Sequence, residues 1–167
     1  MLTAAITLAC ALAAGSAPAS ASLAPQGEPG DPLVITGTIV LADGTTPAAG
    51  VTIQLWQADA KGIYCEGACP PGRQARLEAT LITGADGRYE IRTIRPGSYP
   101  GQRVPGHVHA RLSREGCREQ FPDEFQFQDD PFISDNERGE PDRQGRFASV
   151  MRVAKGPDGT WRAARDS

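Results

Sequence analysis

Residues 88–113 read "RYEIRTIRPGSYPGQRVPGHVHARLS". Two runs in this stretch, 88–94 and 107–113, alternate in polarity with the two-residue period of a β-strand, and a loop broken by Pro96, Pro100 and Pro105 separates them. The same pattern extends outward on both sides. In "VTIQLWQADA" (51–60), Val51, Ile53 and Leu55 fall on one face and Thr52, Gln54 and Trp56 on the other. "LVITGTIVL" (33–41) is rich in β-branched residues and bounded by Pro32 and "ADG". "ARLEATLIT" runs into the tight turn "GADG", and "RFASVMRVAK", "GPDG" and "TWRAARD" close the chain as a hairpin. A long stretch rich in Asp and Glu, from the end of the 107–113 strand to about Gly145, reads as a solvated loop. No segment sustains a 3.6-residue period. The expectation is an all-β, antiparallel β-sandwich with long loops.

The totals agree. The 167 residues include 19 Gly and 14 Pro, which suits frequent turns rather than a helix bundle. The 17 Lys and Arg nearly balance 20 Asp and Glu, which argues against nucleic acid as the partner. The apolar run Leu2–Gly15 is too short to span a bilayer, so stable membrane insertion is not expected. It ends at Ala19-Ser20-Ala21, an A-x-A-like cleavage signal, although no Lys or Arg precedes it. The organisation read from this is a signal peptide at 1–21, a Pro/Gly-rich linker at 22–32 and one domain at 33–167, exported to the periplasm or beyond. Export would leave Cys65, Cys69 and Cys117, an odd number. Cys65–Cys69 and a bridge from either to Cys117 are equally open.

His107 and His109 are the chain's two histidines. At i and i+2 of a strand they project side by side from one face, where two neutral imidazoles can share a metal ion. No Asp or Glu occupies a neighbouring alternate position, so a two-histidine, one-carboxylate iron(II) site lacks an obvious third ligand. Tyrosines are near instead. Tyr89 lies inside a strand pattern and reads as packing, whereas Tyr64 and Tyr99 each lie in a glycine-containing loop that follows a strand. Two phenolates and two imidazoles would give a hard trivalent cation a mixed N2O2 shell.

At these residues the chain resembles the intradiol ring-cleavage dioxygenases. The resemblance is carried by "LWQADAKGIY", "ITGADGRYEIRTIRPGSYPG" and "HVHARL", with "FQFQDDPFI" and the closing "DGTWRAARD" similar to later segments of the family. It implies a non-haem Fe(III) enzyme on a prealbumin-like, Greek-key sandwich. Such an enzyme cleaves a catechol between its hydroxyl-bearing carbons with O2, giving a muconate-type diacid. The ligands it implies are Tyr64, Tyr99, His107 and His109, with Tyr99 the one that leaves when substrate binds. The family usually places an arginine three residues before the first histidine. Val104 stands there, and Arg103, one residue earlier, is the candidate for that catalytic role. Glu124 stands where the family often has glutamine. Catechol dioxygenases carry an N-terminal helical segment used in dimerisation, and a signal-like leader and a linker are read in that place here, with a homo-oligomer still allowed. The same scaffold could instead serve as an exported binding module that keeps the iron site with little turnover.

Overall fold

A computed structural model of the protein describes residues 17–167. Its strands are β1 (Ala19–Ser22), β2 (Pro32–Thr38), β3 (Thr52–Gln57), β4 (Leu77–Ile82), β5 (Arg88–Ile94), β6 (His107–Ser113) and β7 (Phe125–Phe127). Helices α1 (Asp135–Arg138) and α2 (Glu140–Gln144) follow, then a 3-10 turn at Gly145–Phe147. Strands β8 (Val150–Met151), β9 (Val153–Lys155) and β10 (Trp161–Ala164) complete the chain. Two five-stranded sheets result, ordered β1-β5-β2-β10-β9 and β4-β3-β6-β7-β8. Their facing sides share one core. Leu33, Ile35, Tyr89 and Ile91 come from the first sheet, and Ile53, Leu55, Val108, Phe125 and Phe127 from the second. Each large apolar side chain buried in this way contributes about 1.5–3 kcal/mol. The two-residue period therefore decides which face of each strand turns inward, as the alternating patterns of β2 and β3 show. Tyr89 is packed as expected: it is buried, and its hydroxyl donates to the Arg165 carbonyl at 2.6 Å.

Two expectations need correction. The sheets are mixed rather than purely antiparallel, because β1 runs parallel to β5, β10 parallel to β2, and β7 parallel to β8. None of these pairs is joined by a tight turn, so nothing local forces them antiparallel. The expected hairpin of β9 and β10 is present, but Val150–Met151 pairs in the other sheet, so the chain changes sheets at Arg152. Secondly, the acidic stretch is not all loop. A capping box between Ser134 and Glu137 starts α1, and a proline in the first turn starts α2. Helices of four and five residues are too short to show a period.

The apolar run Leu2–Gly15 lies outside the described residues. Ala21, taken as the end of the leader, lies in β1 opposite Ile91. Beyond it Leu23 is buried, with its N–H donating to the Arg92 carbonyl at 2.9 Å. Among the described residues, no helix is long and apolar enough to cross a membrane.

One end of the sandwich gathers the loops of interest. β3 and β5 exit there and β6 enters. Gln57, fully buried at the end of β3, fastens this end. Its amide nitrogen donates to the carbonyls of Ala58 and Ile94 at 3.1 and 3.0 Å, and its amide oxygen accepts from the Thr93 hydroxyl at 2.9 Å. The ends of β3 and β5 are thus tied across the two sheets.

Candidate metal centre

The loop after β3 carries Tyr64 and is shaped by Asp59. The Asp59 carboxylate accepts from the amides of Lys61 and Ile63 at 2.8 and 3.0 Å. Its carbonyl accepts from Gly62 at 3.0 Å and from Gly97, on the loop after β5, at 2.9 Å. Gly62 has φ +79°, and a Cβ there would stand 2.0 Å from the Ser98 carbonyl oxygen. A Cβ on Gly97 would stand 2.4 Å from the Ala60 carbonyl oxygen. The two loops therefore touch backbone to backbone, and this contact brings Tyr64 and Tyr99 together. A disulfide joins Cys65 to Cys69, immediately after Tyr64, while Cys117 is free and exposed.

The histidines are the first and third residues of β6. His107 is buried and His109 half-buried. The Gly106 amide donates to Asp130 at 2.9 Å, which anchors the strand entry. His107 Nδ1 lies 2.7 Å from the Pro105 carbonyl, which requires the proton on Nδ1 and leaves the Nε2 lone pair free. His109 pairs in register with Trp56, and their rings stack at 5.1 Å with a 16° tilt.

Four donor atoms close a ring. Tyr64 Oη lies 2.5 Å from Tyr99 Oη, Tyr99 Oη lies 2.8 Å from His107 Nε2, His107 Nε2 lies 3.1 Å from His109 Nε2, and His109 Nε2 lies 2.7 Å from Tyr64 Oη. The four contacts have too few protons between them. Each phenol brings one, and the proton of His107 is held at Pro105. His109 Nδ1 faces the Glu124 carboxylate at 3.3 Å, and a proton held there leaves Nε2 of both imidazoles as bare lone pairs. A cation among the four atoms satisfies all the lone pairs at once. Neighbouring donors 2.5–3.1 Å apart around the ring are close enough for one ion to touch all four. The residues fit a metal ion.

Electrostatics point the same way. Burial, the contact with Tyr99 and the charge of Glu124 push the Tyr64 phenol well above its ordinary value. Burial also raises Tyr99. Burial, reinforced by His107, lowers His109 and keeps it in the neutral, ligating form. Without a cation both phenols stay protonated at neutral pH, and a bound cation reverses that preference.

All four residues expected as ligands are brought together. Glu124 joins them, and with His107 and His109 it forms a group able to hold a metal ion. Its carboxylate is 3.6 Å from His107 Nε2. A carboxylate does therefore stand beside the histidines, supplied from fifteen residues downstream rather than from an alternate strand position. Arg103 is not brought in. Its guanidinium lies over the Phe132 ring at 5.5 Å, and it makes no hydrogen bond or ion pair with the four donors among the described residues. Trp56, Asp59 and the Pro105 carbonyl were not legible as site residues. The Trp56–His109 register, read from the strand pairing, was the missing signal.

Comparison with known proteins places this arrangement. The family described as Dioxygenase matches residues 11–158. Catechol 1,2-dioxygenase 1 of Acinetobacter lwoffii is 35% identical over 127 residues, covering 65% of this chain and 40% of that protein. The protocatechuate 3,4-dioxygenase beta chain of Burkholderia cepacia is 31% identical over 121 residues, covering 65% of this chain and 50% of its own. The chain thus spans half or less of these relatives' length. Among solved structures, the dioxygenase domain of a dioxygenase–carbohydrate-binding fusion from Streptomyces sp. SirexAA-E superposes with a TM-score of 0.66 at 28% identity, over 87% of this chain and 83% of that one. Family match, relatives and structural neighbour agree with the tyrosine–histidine cluster, and the chain belongs to the intradiol ring-cleavage dioxygenase family.

Proposed function

We propose that the protein is a non-haem Fe(III) intradiol dioxygenase acting on a catechol-type ring with O2 to give a muconate-type diacid, with Tyr64, Tyr99, His107 and His109 as ligands. The proton-poor ring of four donor atoms carries this reading. The donor set suits a hard trivalent ion, since two phenolates would offset two of its three charges. When bound, ferric iron would act as Lewis acid and template for a chelated catechol. The chain's own residues supply the rest. Pro105 fixes the His107 tautomer and Trp56 holds the plane of His109. Tyr99 sits between Ser98 and the exposed Pro100, and its Oη is placed to take a proton from a substrate hydroxyl. Tyr64 is braced on both sides, by the Cys65–Cys69 disulfide and by the Arg76 amide, which donates to its carbonyl at 2.8 Å.

A prealbumin-like sandwich is the fold we assign to the two mixed sheets. Export is supported by the apolar run Leu2–Gly15 and by the disulfide, a bond that persists in oxidising compartments. Arg103 lying on Phe132 favours a second reading, a binding module that keeps the iron site but turns over slowly. The visible spectrum of the iron-loaded protein, recorded with and without catechol in the absence of oxygen, separates these readings. A phenolate-to-iron band that shifts on adding catechol supports the enzyme, and oxygen uptake then measures turnover. A band without a shift supports the binding module. A colourless protein that holds no iron overturns both.

A further inference from the structure

We infer that Glu124 is a specificity-determining residue of this site: its carboxylate selects catechols whose ring substituents are neutral or cationic and disfavours those that carry a carboxylate. The inference rests on the catechol reading above.

The position of Glu124 comes first. Its Oε1 is 3.3 Å from His109 Nδ1 and 3.6 Å from His107 Nε2, yet its side chain is 40% exposed. It therefore faces the donor atoms while staying open to solvent on its other side. Its ion-pair partners among the described residues are those two imidazoles.

Among the described residues, no Lys or Arg side chain pairs with that carboxylate. The Arg103 guanidinium lies over Phe132. Arg165 is buried behind β7. It packs on the Phe125 ring at 4.5 Å and donates to the backbone carbonyls of Asp123 and Glu124 at 2.7 and 3.2 Å. Its own electrostatic partners are Tyr89, Asp123 and Glu140 rather than the Glu124 carboxylate. Next to Glu124 lies a cavity of about 440 Å³ lined by Pro122, Asp123, Glu124, Gln126, Glu140 and Ser149. Three of these six are acids and none is basic. A substituent directed there meets hydrogen-bond acceptors and negative charge.

A like charge several ångströms away in a partly solvated cleft is worth about a tenfold factor in binding. The test titrates the iron-loaded protein, without oxygen, with catechol, 3,4-dihydroxybenzoate and dopamine, following the shift of the visible band. Wild type should bind dopamine and catechol about tenfold or more tighter than 3,4-dihydroxybenzoate. In E124Q the ratio should shrink by about that factor, and in E124K it should reverse. High salt should narrow the wild-type ratio. An unchanged ratio in E124Q, or wild type binding 3,4-dihydroxybenzoate as tightly as catechol, overturns the inference while the dioxygenase reading stands. Wild-type protein that shows no shift with unsubstituted catechol overturns the dioxygenase reading, and this inference with it.

Discussion

Gly62 and Ser98 meet so closely that a Cβ on Gly62 would stand 2.0 Å from the Ser98 carbonyl oxygen and 3.0 Å from the Tyr99 Cα. This contact clamps the loop of Tyr64 onto the loop of Tyr99. Gly62→Ala meets two obstacles, the clash itself and a φ of +79°. The loops must separate, and the two phenol oxygens, 2.5 Å apart, separate with them. The expected cost is about 1–3 kcal/mol of stability, together with a larger loss in iron affinity. Thermal unfolding and chelator competition check the two separately. An alanine variant that binds iron as tightly as wild type would sink the clamp.

The two tyrosines should differ on substitution. Tyr64 is held by the disulfide, the Arg76 amide and the Asp59 turn, whereas Tyr99 is followed by the exposed Pro100. Tyr64→Phe should weaken iron binding more than Tyr99→Phe. Each variant should keep a weaker phenolate band, and the double variant should lose it. Iron content and visible spectra measured side by side decide the point, and equal losses from the two single variants would contradict it.

Glu28 supplies a pH dependence away from the metal. Its carboxylate accepts a two-pronged bond from Arg76, at 2.6 and 2.7 Å, and this guanidinium holds it below the usual carboxylate range. A carboxyl whose pKa is lowered by folding stabilises the fold above its unfolded value, and that contribution is lost as the pH falls through the folded value. Glu28→Gln should therefore cost up to about 1 kcal/mol at neutral pH. The difference from wild type should shrink below about pH 5 and vanish once Glu28 is protonated in both states. Urea midpoints across this range provide the measurement. A difference that grows on acidification would reverse the sign and refute the assignment.

β1 is four residues long, and a cut after Ala21 removes Ala19, Ser20 and Ala21 from it. These residues pair in parallel with Tyr89, Glu90 and Ile91 at the edge of the first sheet. A chain beginning at Ser22 should unfold at a lower temperature than one beginning at Ala17, by an amount corresponding to about 1–2 kcal/mol. Its iron affinity should be unchanged, because Gln57 fastens the site end without β1. Calorimetry on both chains, with N-terminal sequencing of the exported protein, tests this. Identical unfolding temperatures would mean that β1 adds nothing to the sheet.

Local chemistry made much of the protein legible before any fold was known. A two-residue period is a property of neighbouring residues, so the inward faces of β2, β3, β5 and β6 could be read directly. The same period put His107 and His109 on one face, and the glycine-containing loops marked Tyr64 and Tyr99. The short helices α1 and α2 escaped because four or five residues carry no periodicity. What the tertiary structure alone decided depends on residues distant along the chain. Three strand pairs run parallel because long connections leave their direction to packing. Cys117 is left free and exposed after β6, out of the Cys65–Cys69 bridge that the sequence left open. Arg103 packs on Phe132, and Glu124 reaches the histidines because β7 lies beside β6. Sequence periodicity sets which way a side chain points from its own strand. Which charged group ends up facing it is fixed only when sheet order and loop packing bring separate segments within a few ångströms.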